Sequence, residues 1–244
     1  MSIASCIDHT LLRQDAVDGD IDRLCAEAAQ YHFASVCVSP YYVPRCVRAL
    51  QGTDVKVCTV IGFPLGTTTT ESKVFEALQA VKSGAAEIDA VINVSALKSG
   101  NTRLLEQELQ ALAAVAEGEA KLKIILETCL LTREEIVLAC QLAKAAGADF
   151  VKTSTGFSTG GATAEDVALM RETVGPDMGV KASGGVRTYD DAIAMLKAGA
   201  NRLGCSSTMK IVSGVKEDEH KCVNCGNCKN QCPSGNVEIR KKLY

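Results

Sequence analysis

The chain has 244 residues, of which 47% are hydrophobic and 23% are charged, and its formal net charge is −3 at pH 7. This size suits one α/β domain. The weakly negative net charge argues against nucleic acid and anionic membranes as partners, and the low aromatic content of 4% argues against a surface that stacks on bases. No apolar run reaches the roughly 18 residues of a membrane span. The first residues lack a basic region followed by an apolar one, so we expect no secretory signal and a cytoplasmic protein.

Apolar runs alternate with amphipathic stretches along most of the chain. The apolar runs predict strands at residues 7–11, 34–38, 55–61, 86–93 and 122–127, at runs ending with residues 152 and 181, and at residues 201–204. The amphipathic stretches predict helices from Asp18 or Asp20 to about residue 31, after a loop at 39–44, and over 70–84, 102–116, 132–146, 163–173 and 189–198. Eight such units favour a closed (β/α)8 TIM barrel over an open sheet.

Three charged residues lie within apolar runs that we predict to be strands: Asp89, Lys152 and Lys181. A buried charge needs a partner or a task, so a structural ion pair and a reactive site are the alternatives. Lys152 ends its run and is followed by small hydroxyl residues, starting with Thr153, which leave space for a small polar ligand. Because desolvation and a neighbouring ammonium both disfavour the charged form, Lys152 is a candidate nucleophile if Lys181 converges on it.

Loops rich in serine and glycine follow the seventh and eighth predicted strands. Their candidate phosphate-binding residues are Ser183, Gly184, Gly185, Gly204 and Ser206. These two loops are the usual phosphate site of a (β/α)8 barrel, where backbone N–H groups meet a helix start. Arg187 would add a charge-assisted contact. Plain turns are the alternative interpretation of the serines and glycines.

Six motifs, in the same order along the chain, resemble those of deoxyribose-phosphate aldolase, a class I aldolase family with a (β/α)8 barrel. They are Ile7-Asp-His-Thr-Leu-Leu12, Val60-Ile-Gly-Phe-Pro-Leu-Gly66, Glu87-Ile-Asp-Ala-Val-Ile-Asn93, Phe150-Val-Lys-Thr-Ser-Thr-Gly156, Val180-Lys-Ala-Ser-Gly-Gly-Val-Arg187 and Gly204-Cys-Ser-Ser207. The resemblance implies reversible cleavage of 2-deoxy-D-ribose 5-phosphate to D-glyceraldehyde 3-phosphate and acetaldehyde, as in deoxyribose catabolism.

The resemblance also implies a role for each candidate catalytic residue. Lys152 would form a Schiff base with acetaldehyde, Lys181 would depress the pKa of Lys152, and Asp89 would relay protons through water. We expect no cofactor for the aldolase reaction, because a protonated imine is itself an electron sink. Phe157 stands where some longer members of the family carry a lysine that contacts phosphate, so we assign that contact to Arg187.

The composition of the chain changes after about Val212. We therefore expect an aldolase barrel at residues 1–213 and a charged linker with a cysteine-rich tail at residues 214–244. Cys222, Cys225, Cys228 and Cys232 show the C-x2-C-x2-C-x3-C-P spacing of bacterial ferredoxins. The run leaves three interpretations open: one [4Fe–4S] cluster, a tetrahedral zinc ion, or a remnant without metal.

Two functions of different class follow from these features. One is a Schiff-base aldolase acting on a small phosphorylated sugar, and the other is a barrel protein whose iron–sulfur tail makes it a redox or partner-binding module. The two lysines and Asp89 favour the aldolase. We expect a homodimer by default, because dimers are the commonest oligomers.

Overall fold

The structure is a computed structural model that describes residues 2–219. Its strands are β1 (Ile7–Leu11), β2 (Ser35–Val38), β3 (Lys56–Ile61), β4 (Glu87–Val91), β5 (Lys121–Ile125), β6 (Phe150–Lys152), β7 (Gly179–Ser183) and β8 (Arg202–Cys205). Its helices are α1 (Asp18–Tyr31), α2 (Val43–Ala49), α3 (Thr70–Lys82), α4 (Val94–Lys98), α5 (Thr102–Ala116), α6 (Arg133–Ala145), α7 (Ala164–Val174), α8 (Tyr189–Lys197) and α9 (Thr208–Glu219).

The eight strands are parallel, follow one another in chain order and close into a barrel where β8 pairs with β1. This confirms the predicted (β/α)8 TIM barrel. Two helices, α4 and α9, have no counterpart in the sequence prediction. The α4 helix has five residues, with its first turn capped by the Asn93 side chain, and is too short to show a helical period.

Strands buried on both faces position the site. Every residue of β4 is buried. Ile88 and Ala90 belong to the hydrophobic layer of the core, whereas Asp89 between them contacts lysines from other strands. This alternation follows from the period of two in a strand, which sends successive side chains to opposite faces.

Helix caps agree in part with the sequence prediction. Thr132 and Glu135 form a capping box at the start of α6, where a helix was predicted, with each side chain accepting from the other residue's backbone N–H. At α1 the N-cap residue is Val17 rather than Asp18 or Asp20. The Asp20 carboxylate accepts the Val17 N–H at 3.2 Å, so the acidic residue stabilises this helix start from inside the first turn.

The last described element, α9, extends to Glu219, beyond the domain boundary expected at residue 213. The division into two domains stays a prediction. Cys222, Cys225, Cys228 and Cys232 lie outside the described residues. Among residues 2–219, every helix falls short of the length and apolar character that a bilayer crossing requires.

Candidate active site

Asp89 is the centre of a buried ion cluster inside the barrel. Its Oδ2 accepts hydrogen bonds from Lys152 Nζ and Lys181 Nζ, both at 2.7 Å. The strand register explains the convergence, because Lys152 on β6 lies directly beside Lys181 on β7. The three residues singled out from the sequence therefore meet at one carboxylate oxygen.

Four further residues, which the sequence analysis did not single out, complete the cluster: Asp8 on β1, Glu87 on β4, Lys123 on β5 and Arg202 on β8. Lys123 Nζ donates to Asp89 Oδ1 at 2.8 Å and contacts Glu87 Oε2 at 2.6 Å. Asp8 pairs with Lys181 and, at 2.6 Å, with Arg202. Lys123 lies in a predicted strand between Leu122 and Ile124, and this apolar setting was the available signal.

The charges in this cluster do not balance when every group is ionised. Its cations are Lys123, Lys152, Lys181 and Arg202, and its carboxylates are Asp8, Glu87 and Asp89. One proton must leave a lysine for the buried charges to cancel, and uncompensated charge inside a protein is costly. The cluster therefore favours one neutral amine.

The lysines of the cluster differ in the number of carboxylates that they contact. Lys181 contacts Asp8 and Asp89, and Lys123 contacts Glu87 and Asp89. Lys152 contacts a single carboxylate, that of Asp89. Lys152 is therefore the lysine of the cluster whose charge has the least compensation.

Burial and charge act in opposite directions on the other members of the cluster. Burial lowers the pKa of Lys181, but the Asp8 and Asp89 carboxylates outweigh it and hold the pKa above its ordinary value. Burial likewise raises the pKa of Asp89, and Lys123, Lys152 and Lys181 together bring it well below its usual range. Asp89 and Lys181 are therefore held as a charged pair beside Lys152.

Lys152 is also the lysine of the cluster that borders open space. A cavity of about 390 Å³ lies at the carboxyl ends of the strands, where the active sites of such barrels are found. Its walls include Thr10, Lys152, Thr155, Phe157, Ser183, Gly184, Gly185, Arg187, Gly204 and Ser206. Lys181 and Asp89 are fully buried beneath. A small carbonyl compound in this cavity would meet the Lys152 amine first.

The predicted phosphate loops form one end of the cavity. Gly184 has a φ of 79°, which favours glycine, and its backbone packs against Gly161. A Cβ on Gly204 would lie 2.8 Å from the Ser183 Cβ, so only glycine fits where β8 meets β7. Ser206 lies just before α9, whose N-terminal N–H groups favour a bound anion.

The family model for DeoC/LacD family aldolases matches residues 2–215 of the chain. The deoxyribose-phosphate aldolase of Geobacillus sp. (strain WCH70) is 62% identical over 213 residues, which cover 87% of this chain and 96% of that protein. The one from Clostridium novyi (strain NT) is 59% identical over 218 residues, covering 89% and 98%.

The chain belongs to the DeoC/LacD family of aldolases.

A solved structure supports the same family. The deoxyribose phosphate aldolase of Aeropyrum pernix, described as a tetramer, has a TM-score of 0.82 and 36% identity, covering 88% of this chain and 91% of that chain. These relatives confirm the aldolase predicted from the motifs. They do not favour the redox or partner-binding module, and they lend no support to a metal in the cysteine run.

Two polar side chains near the cavity, those of Thr153 and Arg13, are held by other residues of this family member. Thr153 does not line the cavity: its hydroxyl donates to the Ser183 carbonyl at 3.0 Å and accepts the Ser183 N–H at 3.1 Å. It ties β6 to β7 and holds Lys152 beside Lys181. Arg13, which the sequence analysis did not consider, lines the cavity, but its guanidinium is paired with Asp15 and Asp20.

Arg187 is the second arginine on the wall of the cavity. It lines the cavity beside Gly185, and its guanidinium forms no ion pair with a carboxylate among residues 2–219. Its backbone N–H donates to Asp191 at the start of α8, which fixes the backbone from which the side chain extends. Phe157 lines the same cavity and contacts Phe63 edge-on at 5.3 Å between ring centroids.

Cys37, Cys58 and Asp89 form a group of potential metal ligands within the described part of the chain. The two sulfur atoms and an Asp89 oxygen lie within 4.8 Å of one another. Both Asp89 oxygens already accept from lysine ammonium groups, whose charge repels a cation. Burial also raises the pKa of the Cys58 thiol well above its usual value, which opposes the thiolate that a metal needs. This group does not suit a metal.

His9 joins three elements of the barrel through its two ring nitrogens. Its Nδ1 lies 2.9 Å from Thr208 Oγ1 and its Nε2 lies 2.8 Å from Glu27 Oε2. The ring points away from the ion cluster, since the neighbouring Asp8 points into it. His9 thereby joins β1 to α1 and to the start of α9.

A second cavity, of about 470 Å³, lies near the amino ends of β5 and β6, between α5 and α6. Its walls include Ala113, Ala116, Gly118, Ala146 and Asp149 and contain no lysine or histidine. It therefore lacks an amine that could form a Schiff base, and cavity size alone does not identify the active site.

Proposed function

We propose that the protein cleaves 2-deoxy-D-ribose 5-phosphate reversibly through a Schiff base on Lys152. The observation that supports this most directly is the Lys152–Asp89–Lys181 contact at the floor of the cavity. This contact places the Lys152 amine, which has the fewest carboxylate partners in the cluster, at the wall of the cavity. The buried charges of the cluster balance when that amine is neutral.

Covalent catalysis divides the reaction into smaller steps. The neutral Lys152 amine attacks the aldehyde carbon of the open-chain sugar, and water leaves to give a protonated imine. The 3-hydroxyl then loses its proton and the C2–C3 bond breaks. Its electron pair moves into the imine to form an enamine, and D-glyceraldehyde 3-phosphate is released. Protonation of the enamine carbon and hydrolysis release acetaldehyde and restore the lysine.

Asp89 supplies the proton transfers around this imine, and Lys181 supplies a fixed positive charge beside it. Asp89 is held as a carboxylate by its lysine partners, and it accepts and returns protons through a water molecule next to the reacting carbons. Lys181 keeps its charge through Asp8, so it retains an ammonium beside Lys152 while Lys152 reacts.

The phosphate of the substrate is proposed to bind at the end of the cavity formed by Gly184, Gly185, Gly204 and Ser206. Backbone N–H groups and the α9 N-terminus suit an anion. Arg187 supplies the charge, since two carboxylates already compensate Arg13. This arrangement fits a small phosphorylated sugar.

Trapping with borohydride tests the mechanism. Acetaldehyde with sodium borohydride should attach a two-carbon group to Lys152 alone, as read by mass spectrometry of peptides, and Lys152→Ala should abolish both label and turnover. A label on Lys181 would reverse the two roles. An unlabelled wild-type protein would refute the Schiff base. Lys144→Met, which changes a lysine outside the cluster, is the matched control.

We retain a homodimer and a cytoplasmic location as proposals for this aldolase. The Aeropyrum pernix relative is described as a tetramer, so the number of subunits differs from the dimer that we propose. Light scattering on the full-length chain distinguishes the two, since their masses differ twofold.

A further inference from the structure

Glu127 is a buried carboxylate beside the cavity that the mechanism above does not use. It follows β5, is 4% exposed, and has φ 58° and ψ 59°. This left-handed backbone is uncommon for a residue with a side chain, and among residues 2–219 only His32 shares it outside glycine. Such conformations tend to occur where a side chain must be held in one place.

Both carboxylate oxygens of Glu127 face Thr155. Oε1 accepts the Thr155 N–H at 3.2 Å, and Oε2 accepts the Thr155 hydroxyl. Thr155 lines the active-site cavity together with Lys152. The carboxylate thus acts on a residue that a substrate would touch, without lining that cavity itself.

The contacts of Thr155 determine what its hydroxyl can still do. A hydroxyl has one proton to donate and two lone pairs that accept. The proton goes to Glu127, and one lone pair accepts the Phe157 N–H at 3.0 Å. The remaining lone pair can only accept, so a substrate group that binds there must be a donor.

We infer that Glu127 is a positioning residue that holds the Thr155 hydroxyl as an acceptor for a substrate hydroxyl. The inference rests on the proposed function. Thr155 lines the same cavity as Lys152, where the imine forms, and the glycine loops proposed for phosphate. The sugar hydroxyl between those two ends that does not react is the 4-hydroxyl, which becomes the 2-hydroxyl of D-glyceraldehyde 3-phosphate. The site then prefers aldehydes that carry this hydroxyl.

The test compares two acceptor aldehydes in condensation with acetaldehyde. D-Glyceraldehyde 3-phosphate carries the hydroxyl, and 3-oxopropyl phosphate lacks it but keeps the aldehyde and the phosphate. For the wild type we expect kcat/KM to favour the first by at least about tenfold, because a site with a polar group left unpaired rejects the deoxy analogue. Thr155→Val should remove this preference.

Variants of Glu127 decide the inference. Glu127→Gln can donate an amide N–H to the Thr155 hydroxyl, which is then free to point its own proton elsewhere. Glu127→Gly removes the carboxylate and suits the left-handed backbone. Both should lower the preference toward that of Thr155→Val, while acetaldehyde still labels Lys152. Because glycine favours this backbone, Glu127→Gly should melt no lower than Glu127→Gln. A folded Glu127→Gly with the wild-type preference would overturn the inference.

His32→Gly is the matched control, because His32 has the other left-handed backbone but is exposed at the end of α1. It should keep the wild-type preference. A wild-type protein that labels Lys152 and turns over both aldehydes equally would overturn the inference and leave the proposed function standing. A wild type with no label and no turnover would overturn both.

Discussion

Lys152 and Lys181 donate to the same oxygen of Asp89, each at 2.7 Å, and only Lys181 has a second carboxylate to hold its charge. The two lysines are neighbours in the strand register, so this difference does not come from their backbones. It comes from Asp8, which β1 brings against β7 and β8 when the barrel closes. Asp8 is therefore the carboxylate that makes the surroundings of the two lysines differ.

Replacing Asp89 by asparagine should affect both turnover and stability. The ammonium groups of Lys123 and Lys181 would lose the carboxylate that pairs with them, and the Lys152 amine would lose its hydrogen-bond acceptor. We expect kcat to fall by about 10²–10⁴-fold, since proton transfer is lost. We expect the free energy of unfolding to fall by about 3–5 kcal/mol, since buried charges lose their partner. Steady-state assays and guanidinium denaturation measure the two effects.

The control for this variant is Asp54→Asn, which changes an exposed aspartate that faces His32 on the surface. It should leave both measurements unchanged. Wild-type stability in Asp89→Asn would show that the lysines are not charged as we describe.

Replacing Lys181 by methionine should slow Schiff-base formation on Lys152. Without Lys181, the cluster keeps three cations and three carboxylates, and Lys152 alone donates to Asp89 Oδ2. We expect the rate of borohydride labelling at pH 7 to fall at least about tenfold, because an amine held in a balanced ion pair attacks a carbonyl more slowly. Label rates at pH 7, with Lys144→Met as the control, test this. A label rate equal to the wild type at pH 7 would contradict the charge balance.

Arg187→Met should weaken the binding of the phosphorylated substrate. A charged hydrogen bond is lost, so KM for 2-deoxy-D-ribose 5-phosphate should rise by about 10–100-fold. The kcat/KM for unphosphorylated 2-deoxyribose should change little, because that sugar offers no phosphate. Arg13→Met should have the smaller effect, since Asp15 and Asp20 already hold that guanidinium. Equal effects of the two variants would remove the special role of Arg187.

His9 should make the stability of the barrel depend on pH. Burial lowers the pKa of His9, although its hydrogen bond with Glu27 opposes the shift. As the pH falls below about 6.5, His9 takes up a proton in the unfolded chain before it does so in the folded protein. The free energy of unfolding therefore declines as the pH falls below this value, and it keeps the full contribution of His9 above it. The melting temperature measured between pH 5 and about 8 should show this decline.

His9→Gln removes the titrating ring and should flatten that part of the curve. His32→Gln, at an exposed position, should leave the curve of the wild type unchanged. A wild-type slope in His9→Gln would assign the pH dependence to other groups.

The order of strands and helices could be predicted from the sequence, because that information is local. Apolar runs, amphipathic stretches and caps such as Thr132 with Glu135 are each contained within a few residues. Asp89, Lys152 and Lys181 could be recognised for the same reason, as charges inside apolar runs. Eight alternating units then favour a barrel on length alone.

The rest of the cluster could not be predicted because its contacts join distant parts of the chain. Arg202 contacts Asp8 across 194 positions and Glu87 across 115. The face that the Thr153 side chain takes could not be predicted either, because a shift of one residue in an extended chain reverses it and only the closed sheet sets the register. The left-handed backbone of Glu127 could not be predicted either, because glycine, the residue that usually marks this conformation, does not stand there.

The sequence by itself determined the fold class, the family and the residues most suited to imine chemistry, since these depend on local pattern and on motifs. Barrel closure decided which lysine is poorly compensated and which polar groups face the cavity. The physical reason is that charge compensation depends on distances of a few ångströms between strands, which only tertiary packing sets.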